Sequence, residues 1–269
     1  MTSMNSQAEQ EKRGGARRAR PPAEDPQFVI ALARGLEVLR CFSSQTRVLG
    51  TTDIAGRTGL PQPTVWRLCY TLQKLGYLVA ATDGNKLMLG PAALALGGAA
   101  MAGQEALDVA RPAMQAFADR YRGAVALGRR DQDSIVYLLR CQGDSDLLMN
   151  FRIGSRIPLF TSAIGGAWIA SAAGAERQAL LDLAPDRHWL DDAVAQYERR
   201  GFVLHTRPNH QINTVATAVA LNGDDRYVLN CGGPASLLTR EIMEQEIGPE
   251  LVRLAKEIQP AFALGRRSA

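Results

Sequence analysis

The basic residues of this chain concentrate in one segment. Residues 28–91 contain seven Lys and Arg against three Asp and Glu, whereas residues 1–27 contain five against four and residues 92–269 contain nineteen against twenty. The segment 28–91 therefore carries +4, which equals the formal net charge of the whole chain. A local excess of positive charge is typical of a surface that meets a polyanion, so this segment is the first candidate site.

Side chains suited to nucleophilic or metal chemistry are sparse. The four cysteines form no CxxC or Cys/His cluster with metal-ligand spacing, and we expect free buried thiols, no metal and no cofactor: Cys41, Cys69, Cys141 and Cys231. A thiol nucleophile at Cys231 with His205 or His210 as its base is the enzyme alternative. Because the chain has three histidines and no GxSxG, GxGxxG, P-loop or HExxH pattern, we expect it not to be an enzyme.

A second candidate site lies where Thr161 and Ser162 precede an Ala/Gly-rich helix that contains Gly165 and Gly166. The free backbone N–H groups of a helix start, together with two hydroxyls, suit an anion such as a carboxylate. The alternative is that one of these hydroxyls is simply the N-cap of the helix.

The N-terminus begins polar, and no stretch approaches the roughly 20 unbroken apolar residues of a membrane helix. We therefore expect no membrane partner and a cytoplasmic location. Residues 1–27 hold a run of basic residues without periodic apolar positions, which predicts a disordered basic tail. This tail either adds phosphate contacts or only keeps the chain soluble.

Residues 28–91 contain the signals of two short helices. A first helix is predicted by an apolar stripe that faces a core: Leu32, Leu36, Leu39 and Phe42. A second helix is predicted at residues 53–58, with Thr51 or Thr52 as its cap and Gly59 as its end.

A third helix starts at Pro61 and Pro63, which fit only near a helix N-terminus, and ends at Gly76. Its predicted buried face consists of Val65, Leu68, Leu72 and Leu75. Other faces carry Trp66, Arg67, Tyr70 and Lys74. A strand, turn and strand follow at residues 77–89. The order of helix, helix, glycine turn, helix and hairpin predicts a winged helix-turn-helix over residues 28–91.

The Ala/Gly/Leu-rich residues 92–107 and the helical residues 108–121 follow. They form either a linker through which two copies dimerise or an interdomain packing helix. Beyond them, an antiparallel mixed α/β domain is predicted by strands at 125–127, 135–139, 147–151, 202–204, 214–221 and 226–230, and by helices at 163–173, 176–183, 191–200 and 240–262.

The chain resembles the isocitrate lyase regulator (IclR) family of bacterial transcription factors over roughly residues 28–264. The densest part is Thr51 to Gly90, where TTDIAGRTGLPQPTVWRLCYTLQKLGYL, a charged hairpin and LMLG look like the family's helix-turn-helix and wing. Residues 152–172, RIGSRIPLFTSAIGGAWIASA, are similar to its Gly-x-x-x-Pro-Leu turn and the helix that follows.

The resemblance implies a dimer or tetramer that binds operator DNA with its N-terminal domains and a small organic or aromatic acid with a GAF-like C-terminal domain, residues 108–269. A recognition helix reads base edges in the major groove. The candidates for DNA contact are Gln62, Thr64, Trp66, Arg67, Tyr70 and, in the wing, Lys86. Trp66 departs from the smaller or more polar residue usual in the family, so it either contacts DNA or packs under the wing.

The resemblance places the wall of the effector pocket at the strand end formed by Asn230 and Cys231, with an apolar lining from Phe151 and Phe160. Thr161, Ser162 and Gly165 complete the candidate effector site. The family's usual Gly-containing approach to a strand is missing at residues 210–215, which leaves the ligand class open.

These expectations describe an α+β transcription regulator that is controlled by a carboxylate or aromatic acid of a catabolic pathway. The alternative within the same class is a C-terminal domain that only oligomerises and binds no ligand.

Overall fold

The chain divides where the Ala/Gly/Leu-rich segment ends. The computed structural model describes residues 25–43, 46–82, 84–102, 104–144, 151–207, 211–219 and 226–264. Contacts separate it into two compact units, residues 1–101 and residues 102–269. Residues 1–24 of the predicted tail and residues 147–150 of a predicted strand lie outside the described residues.

The N-terminal unit is a winged helix-turn-helix, as predicted. Its elements are α1 (Ile30–Arg40), α2 (Thr51–Thr58), α3 (Gln62–Lys74), β1 (Leu78–Ala80), β2 (Leu87–Leu89) and α4 (Pro91–Met101). The two strands pair antiparallel as the wing, and Leu49 adds a single bridge to Leu87.

Helix α2 begins earlier than its sequence suggested. Gly50 is the residue before the first turn, and its N–H donates to Asp53 Oδ2 at 2.9 Å. The prediction that a threonine hydroxyl caps this helix was therefore wrong, because the Asp53 carboxylate supplies the side-chain bond at this end. Gly59 ends the helix with φ at 62°, a conformation that glycine adopts without strain.

One small core holds the three helices and the wing together: Val38, Phe42, Leu49, Ile54, Val65, Cys69, Leu78 and Leu87. On α3 the predicted burial of Val65 is confirmed, and Leu68 and Leu72 are half-buried. The predicted burial of Leu75 was wrong, since its side chain is 61% exposed. Leu75 lies one residue beyond the helix end, where the chain turns toward β1 and leaves the apolar side of α3.

Helix α1 contacts this core only through its C-terminal half. Val38 and the following Phe42 are buried, whereas Leu32 and Leu36 are exposed. The prediction that Leu32 and Leu36 face the core of this domain was therefore wrong. The core of the unit is too small to cover the first turns of α1, so these side chains remain on the surface of the single chain.

The C-terminal unit is an antiparallel sheet between helices. Its elements are α5 (Glu105–Tyr121), β3 (Ala124–Asp131), β4 (Ser134–Gln142), β5 (Arg156–Pro158), α6 (Ala163–Ser171), α7 (Gly174–Asp182), α8 (Arg187–Arg200), β6 (Val203–Arg207), β7 (Ile212–Val219), β8 (Tyr227–Pro234), α9 (Arg240–Ile242), a π-helical turn (Met243–Ile247) and α10 (Gly248–Leu264). The strand order is β5-β4-β3-β8-β7-β6. The whole protein is thus α+β, as predicted.

Several elements of this unit differ from their predicted bounds. Helix α8 begins at Arg187, four residues early, because Asp186 caps it by accepting a hydrogen bond from the Trp189 N–H. Phe151 was predicted to end a strand, but it lies outside every strand, and the edge of the sheet is formed instead by β5. With only three residues, β5 is too short to show an alternating pattern.

The sheet has two differently covered faces, and a β-bulge decides which residues reach each one. Gly128 pairs with Tyr137 and Leu127 with Leu139, so Leu138 is extra and the side chains before and after it point to opposite faces. Tyr137 joins the cluster beneath α6, which we call the α6 face. Cys141 instead contacts the Arg111 carbonyl of α5, on the α5 face.

We expect Val65→Ala to lower the free energy of unfolding by about 2 kcal/mol, because it leaves a cavity in the small N-terminal core. Leu75→Ala is the matched control on the same chain segment and should cost less than about 0.5 kcal/mol. Urea unfolding followed by circular dichroism measures the loss, and hydrogen exchange over residues 30–80 assigns it to the N-terminal unit. Equal losses in the two variants would contradict this core assignment.

Candidate nucleic-acid interface and ligand site

Helix α3 presents a polar and aromatic side away from its core contacts. Trp66, Arg67 and Tyr70 are exposed, with 59% of Trp66 and 50% of Tyr70 accessible. The two rings stack with 5.6 Å between their centroids, and the Lys74 Nζ lies 5.3 Å from the Tyr70 ring centre. The exposure of Trp66 favours the first of its two interpretations, a surface contact, over packing beneath the wing.

The remaining predicted DNA contacts lie around this helix. Gln62 is exposed in the first turn, where its Nε2 donates to Thr52 Oγ1 of α2 at 3.1 Å, and Thr64 is half-buried. Lys86 is exposed just before β2, in the turn of the wing. An exposed helix beside an exposed wing lysine is the arrangement that helix-turn-helix proteins use to contact base edges and phosphates.

The start of α6 was predicted to meet an anion, and Ser162 is the N-cap there. Its hydroxyl donates to the Pro158 carbonyl at 2.6 Å and accepts from the Gly165 N–H at 3.1 Å. The single hydrogen of a serine hydroxyl can serve one acceptor, so the Ser162 side chain has none left for a carboxylate. The capping alternative is therefore the one this geometry supports, and Thr161 beside it is exposed.

Gly165 is required by close packing. A Cβ at this position would lie 1.9 Å from the Leu159 carbonyl oxygen, so α6 meets the preceding turn backbone to backbone. The whole stretch Ala163 to Ala170 is buried. Phe151 and Phe160 are half-buried and pack against the cluster to which this helix belongs.

Cys231 does not lie with the other predicted effector residues. It pairs with Val125 and Val215 on the α5 face, near Gly123 and Leu238. Phe151 and Phe160 pack on the cluster of the α6 face. The sheet therefore separates Cys231 from them, and its neighbour Asn230 takes the position on the α6 face, since successive strand residues point to opposite sides.

The polar pair on the α6 face is Tyr137 and Asn230. Asn230 Nδ2 donates to Tyr137 Oη at 3.1 Å, and the Tyr137 ring meets Phe151 edge-on at 6.3 Å. Burial raises the pKa of Tyr137 to about 12, so its hydroxyl stays protonated. Asn230 Oδ1 is buried without a hydrogen-bond partner among the described residues, so it can still accept a hydrogen bond. Tyr137 was missed because an aromatic residue in an alternating strand resembles ordinary core.

A polar cleft of about 360 Å³ lies elsewhere, along the edge strand β6. Its lining includes Trp189, whose ring stacks on His205 with 4.1 Å between centroids, and Arg200, which pairs with Glu244. The sequence-predicted effector residues do not contribute to its lining.

The geometry opposes the thiol-nucleophile alternative. His205 pairs with Thr214 and projects on the α6 face, opposite to Cys231, and His210 lies outside the described residues. Burial raises the pKa of Cys231 to about 12, which keeps its thiol protonated at neutral pH. In the described part of the chain, no three His, Cys, Asp or Glu side chains cluster as a metal site, and no helix there is long and apolar enough to cross a membrane.

A winged helix-turn-helix joined to a mixed α/β domain defines a DNA-binding transcription regulator. Residues 31–81 match the IclR helix-turn-helix domain, and residues 98–258 match the bacterial transcriptional regulator IclR C-terminal domain. The chain belongs to the IclR family, as its sequence indicated.

Known proteins resemble the chain over most of its length. The HTH-type transcriptional regulator TsaQ1/TsaQ2 of Comamonas testosteroni is 31% identical over 89% of this chain and 90% of its own. An IclR family transcriptional regulator from Brucella abortus shares the fold with a TM-score of 0.79 and 40% identity, over 91% of this chain and 96% of its own. An IclR homologue from Microbacterium hydrocarbonoxydans, solved in complex with 4-hydroxybenzoate, has a TM-score of 0.66 and 21% identity. The match covers 89% of this chain and 100% of that one.

Proposed function

We propose that the chain binds double-stranded operator DNA through α3 and the wing, and that a small aromatic carboxylate in its C-terminal domain controls this binding. The observation that carries the DNA-contact proposal is the exposed side of α3 with Trp66, Arg67 and Tyr70. The basic excess of residues 28–91 supports the same face. Gln62 and Thr64 supply polar groups in the first turn of α3, and Lys86 binds phosphate from the wing.

Two observations support a dimer as the DNA-binding form. Helix α4 has no buried residue although its sequence, PAALALGGAAM, is almost entirely apolar, and Leu94 is 78% exposed. The N-cap residue Val29 and the first turns of α1, with Ile30, Leu32 and Leu36, are also exposed. Apolar helix surfaces of this extent mark protein contacts in soluble proteins. A second copy of the chain covers them in this proposal, and its recognition helix reads a second half-site.

Sedimentation tests the dimer. Leu94→Glu places a charge on the proposed interface, so we expect it to raise the dimer dissociation constant at least tenfold. Leu183→Glu is the matched control, since Leu183 is 68% exposed at the end of α7 and outside the interface. Equal sedimentation profiles of both variants and the parent would remove α4 from the interface.

DNA titrations test the interface with DNA. Affinity for an operator duplex should fall steeply between about 50 and 200 mM salt, because bound phosphates release counterions. Arg67→Ala should weaken binding by about tenfold or more through a lost base or phosphate contact. Lys256→Ala, an exposed cation on α10, is the control and should bind as the parent does. Salt-independent affinity, or equal binding by both variants, would contradict the proposal.

The ligand proposal rests on what converges on the α6 face. Phe151 and Phe160 offer apolar surface, and Tyr137 with Asn230 offers buried hydrogen-bonding groups. Helix α6 contacts both β4 and β8, which carry that polar pair. The Gly165 N–H is already taken by the Ser162 cap, so this helix start contributes to the proposed site through the positive end of the helix dipole, which favours a nearby carboxylate. Ser162 caps this helix start, and the exposed Thr161 directly precedes the cap. A ligand with a ring and a carboxylate suits this set, and the IclR homologue from Microbacterium hydrocarbonoxydans was solved in complex with such a ligand, 4-hydroxybenzoate.

Regulation requires that the ligand bind one conformation of the chain better than another. The connection between the two units runs through α4 and α5, and a coupling of about 1–3 kcal/mol is typical of such switches. The Cys231 thiol takes no part in this proposal, and the protein acts without catalysis.

Calorimetry of the full chain with 4-hydroxybenzoate, benzoate and a short keto acid tests the ligand site. Tyr137→Phe removes a polar group from the α6 face and should weaken binding about tenfold. Tyr121→Phe is the matched control, because Tyr121 Oη is also buried but belongs to α5. Ser162→Ala should leave binding within about threefold and lower stability by about 1 kcal/mol, as for a lost cap.

An equal effect of Tyr137→Phe and Tyr121→Phe would place the ligand elsewhere. If none of the three acids binds, a C-terminal domain that only oligomerises becomes the better account.

A further inference from the structure

Helix α3 carries a stripe of two aromatic residues and one lysine at helical spacing: Trp66, Tyr70 and Lys74. The three side chains follow one another along the outward side, each four residues from the last, so they are neighbours on the helix surface. The Trp66 and Tyr70 rings are stacked within 16° of parallel, and Lys74 lies over Tyr70. At 59% exposure, Trp66 presents a large apolar ring to solvent.

We propose that Trp66 is a specificity-determining residue that reads thymine through its C5-methyl group in the major groove. This inference rests on the proposed docking of α3 into DNA. The major-groove edge of thymine carries a methyl group, the apolar feature that distinguishes it from the other three DNA bases. The indole ring offers apolar surface and a single N–H donor, so it lacks the paired donors or acceptors that recognise a purine edge.

The rest of the stripe positions this ring. Tyr70 stacks on Trp66 and restricts its rotation, which lowers the conformational entropy lost when a base is bound. Lys74 lies in the last turn of α3, next to the ring of Tyr70, and suits a phosphate at the groove edge. Base-reading residues lie in the N-terminal part of a recognition helix, and Trp66 occupies the fifth position of α3.

The charges near Trp66 favour DNA, rather than a second protein, as the partner that contacts its exposed ring. Arg67 is exposed beside Trp66, and Arg57 of the preceding helix and Lys74 are exposed as well. Two cations beside an exposed aromatic pair, Arg67 and Lys74, complement a polyanion, whereas the core of a protein interface is depleted of charge. The surface of α4, by contrast, combines exposed leucines with no charged residue.

The test uses an operator duplex selected from random DNA by the full chain. Replacing the thymines of each half-site with deoxyuridine deletes only the methyl groups. The parent should lose about fourfold in affinity for each methyl contacted, the equivalent of one buried methylene. Trp66→Ala should bind the thymine and uracil duplexes equally, and Trp66→Phe should keep part of the difference. Leu75→Ala, which removes an exposed apolar side chain after the end of α3, should discriminate as the parent does.

Each contrary outcome overturns the inference in a distinct way. A parent that binds both duplexes equally reads no methyl group, and a uracil effect that persists in Trp66→Ala assigns the methyl contact to another residue. If Trp66→Ala binds DNA normally but sediments as a smaller species, the ring is covered by protein. If the chain enriches no duplex at all, the proposed DNA interface fails together with this inference.

Discussion

The burial of one side of α3 decides what the chain presents to DNA. Val65 and Cys69 lie in the small N-terminal core, together with Ile54 of α2 and Leu78 of β1. A helix turns by about 100° per residue, so a rotation of α3 by a single residue would move Trp66 into the buried position of Val65. The exposed side of Trp66, Arg67 and Tyr70 therefore exists only while that core holds. The left-handed turn at Gly59, which ends α2, and Pro61, the N-cap of α3, restrict the orientation of α3 through the chain itself.

The C-terminal unit depends on an equivalent constraint in its sheet. Because Leu138 is extra in β4, Tyr137 and Cys141 project to opposite faces although both are odd-numbered and both are buried. The register between β3 and β8 then places Asn230 on the α6 face and Cys231 on the α5 face. Backbone pairing thus decides which of these side chains a ligand on each face would meet: the Tyr137 phenol and the Asn230 amide on the α6 face, and the protonated thiols of Cys141 and Cys231 on the α5 face.

Local signals were enough to predict the element order of the N-terminal unit, since Gly59, Pro61 and the apolar spacing of α3 each act within a few residues. The stripe of α1 was misassigned for a physical reason. Apolar periodicity shows that a helix has an apolar side, and it does not show whether the same chain or a second copy covers that side. Leu32 and Leu36 illustrate this difference.

The candidate ligand site was less predictable because it depends on long-range pairing. Adjacent strand residues such as Asn230 and Cys231 always point to opposite faces, but deciding which of them lies on the α6 face requires the pairing of β8 with its neighbours. Placing Tyr137 on the same face requires the bulge at Leu138. The role of Ser162 was predictable in part. Its capping role follows from a local pattern, yet only the geometry shows that the Pro158 carbonyl already takes its hydrogen.

The measurement that tests the central claim most directly is sequencing of the duplexes that the full chain selects from a random DNA pool. A dimer that reads DNA with two copies of α3 should enrich a pseudo-palindrome whose half-sites lie about one helical turn, or a multiple of it, apart. No enriched sequence, or an enriched site without two-fold symmetry, would contradict the account.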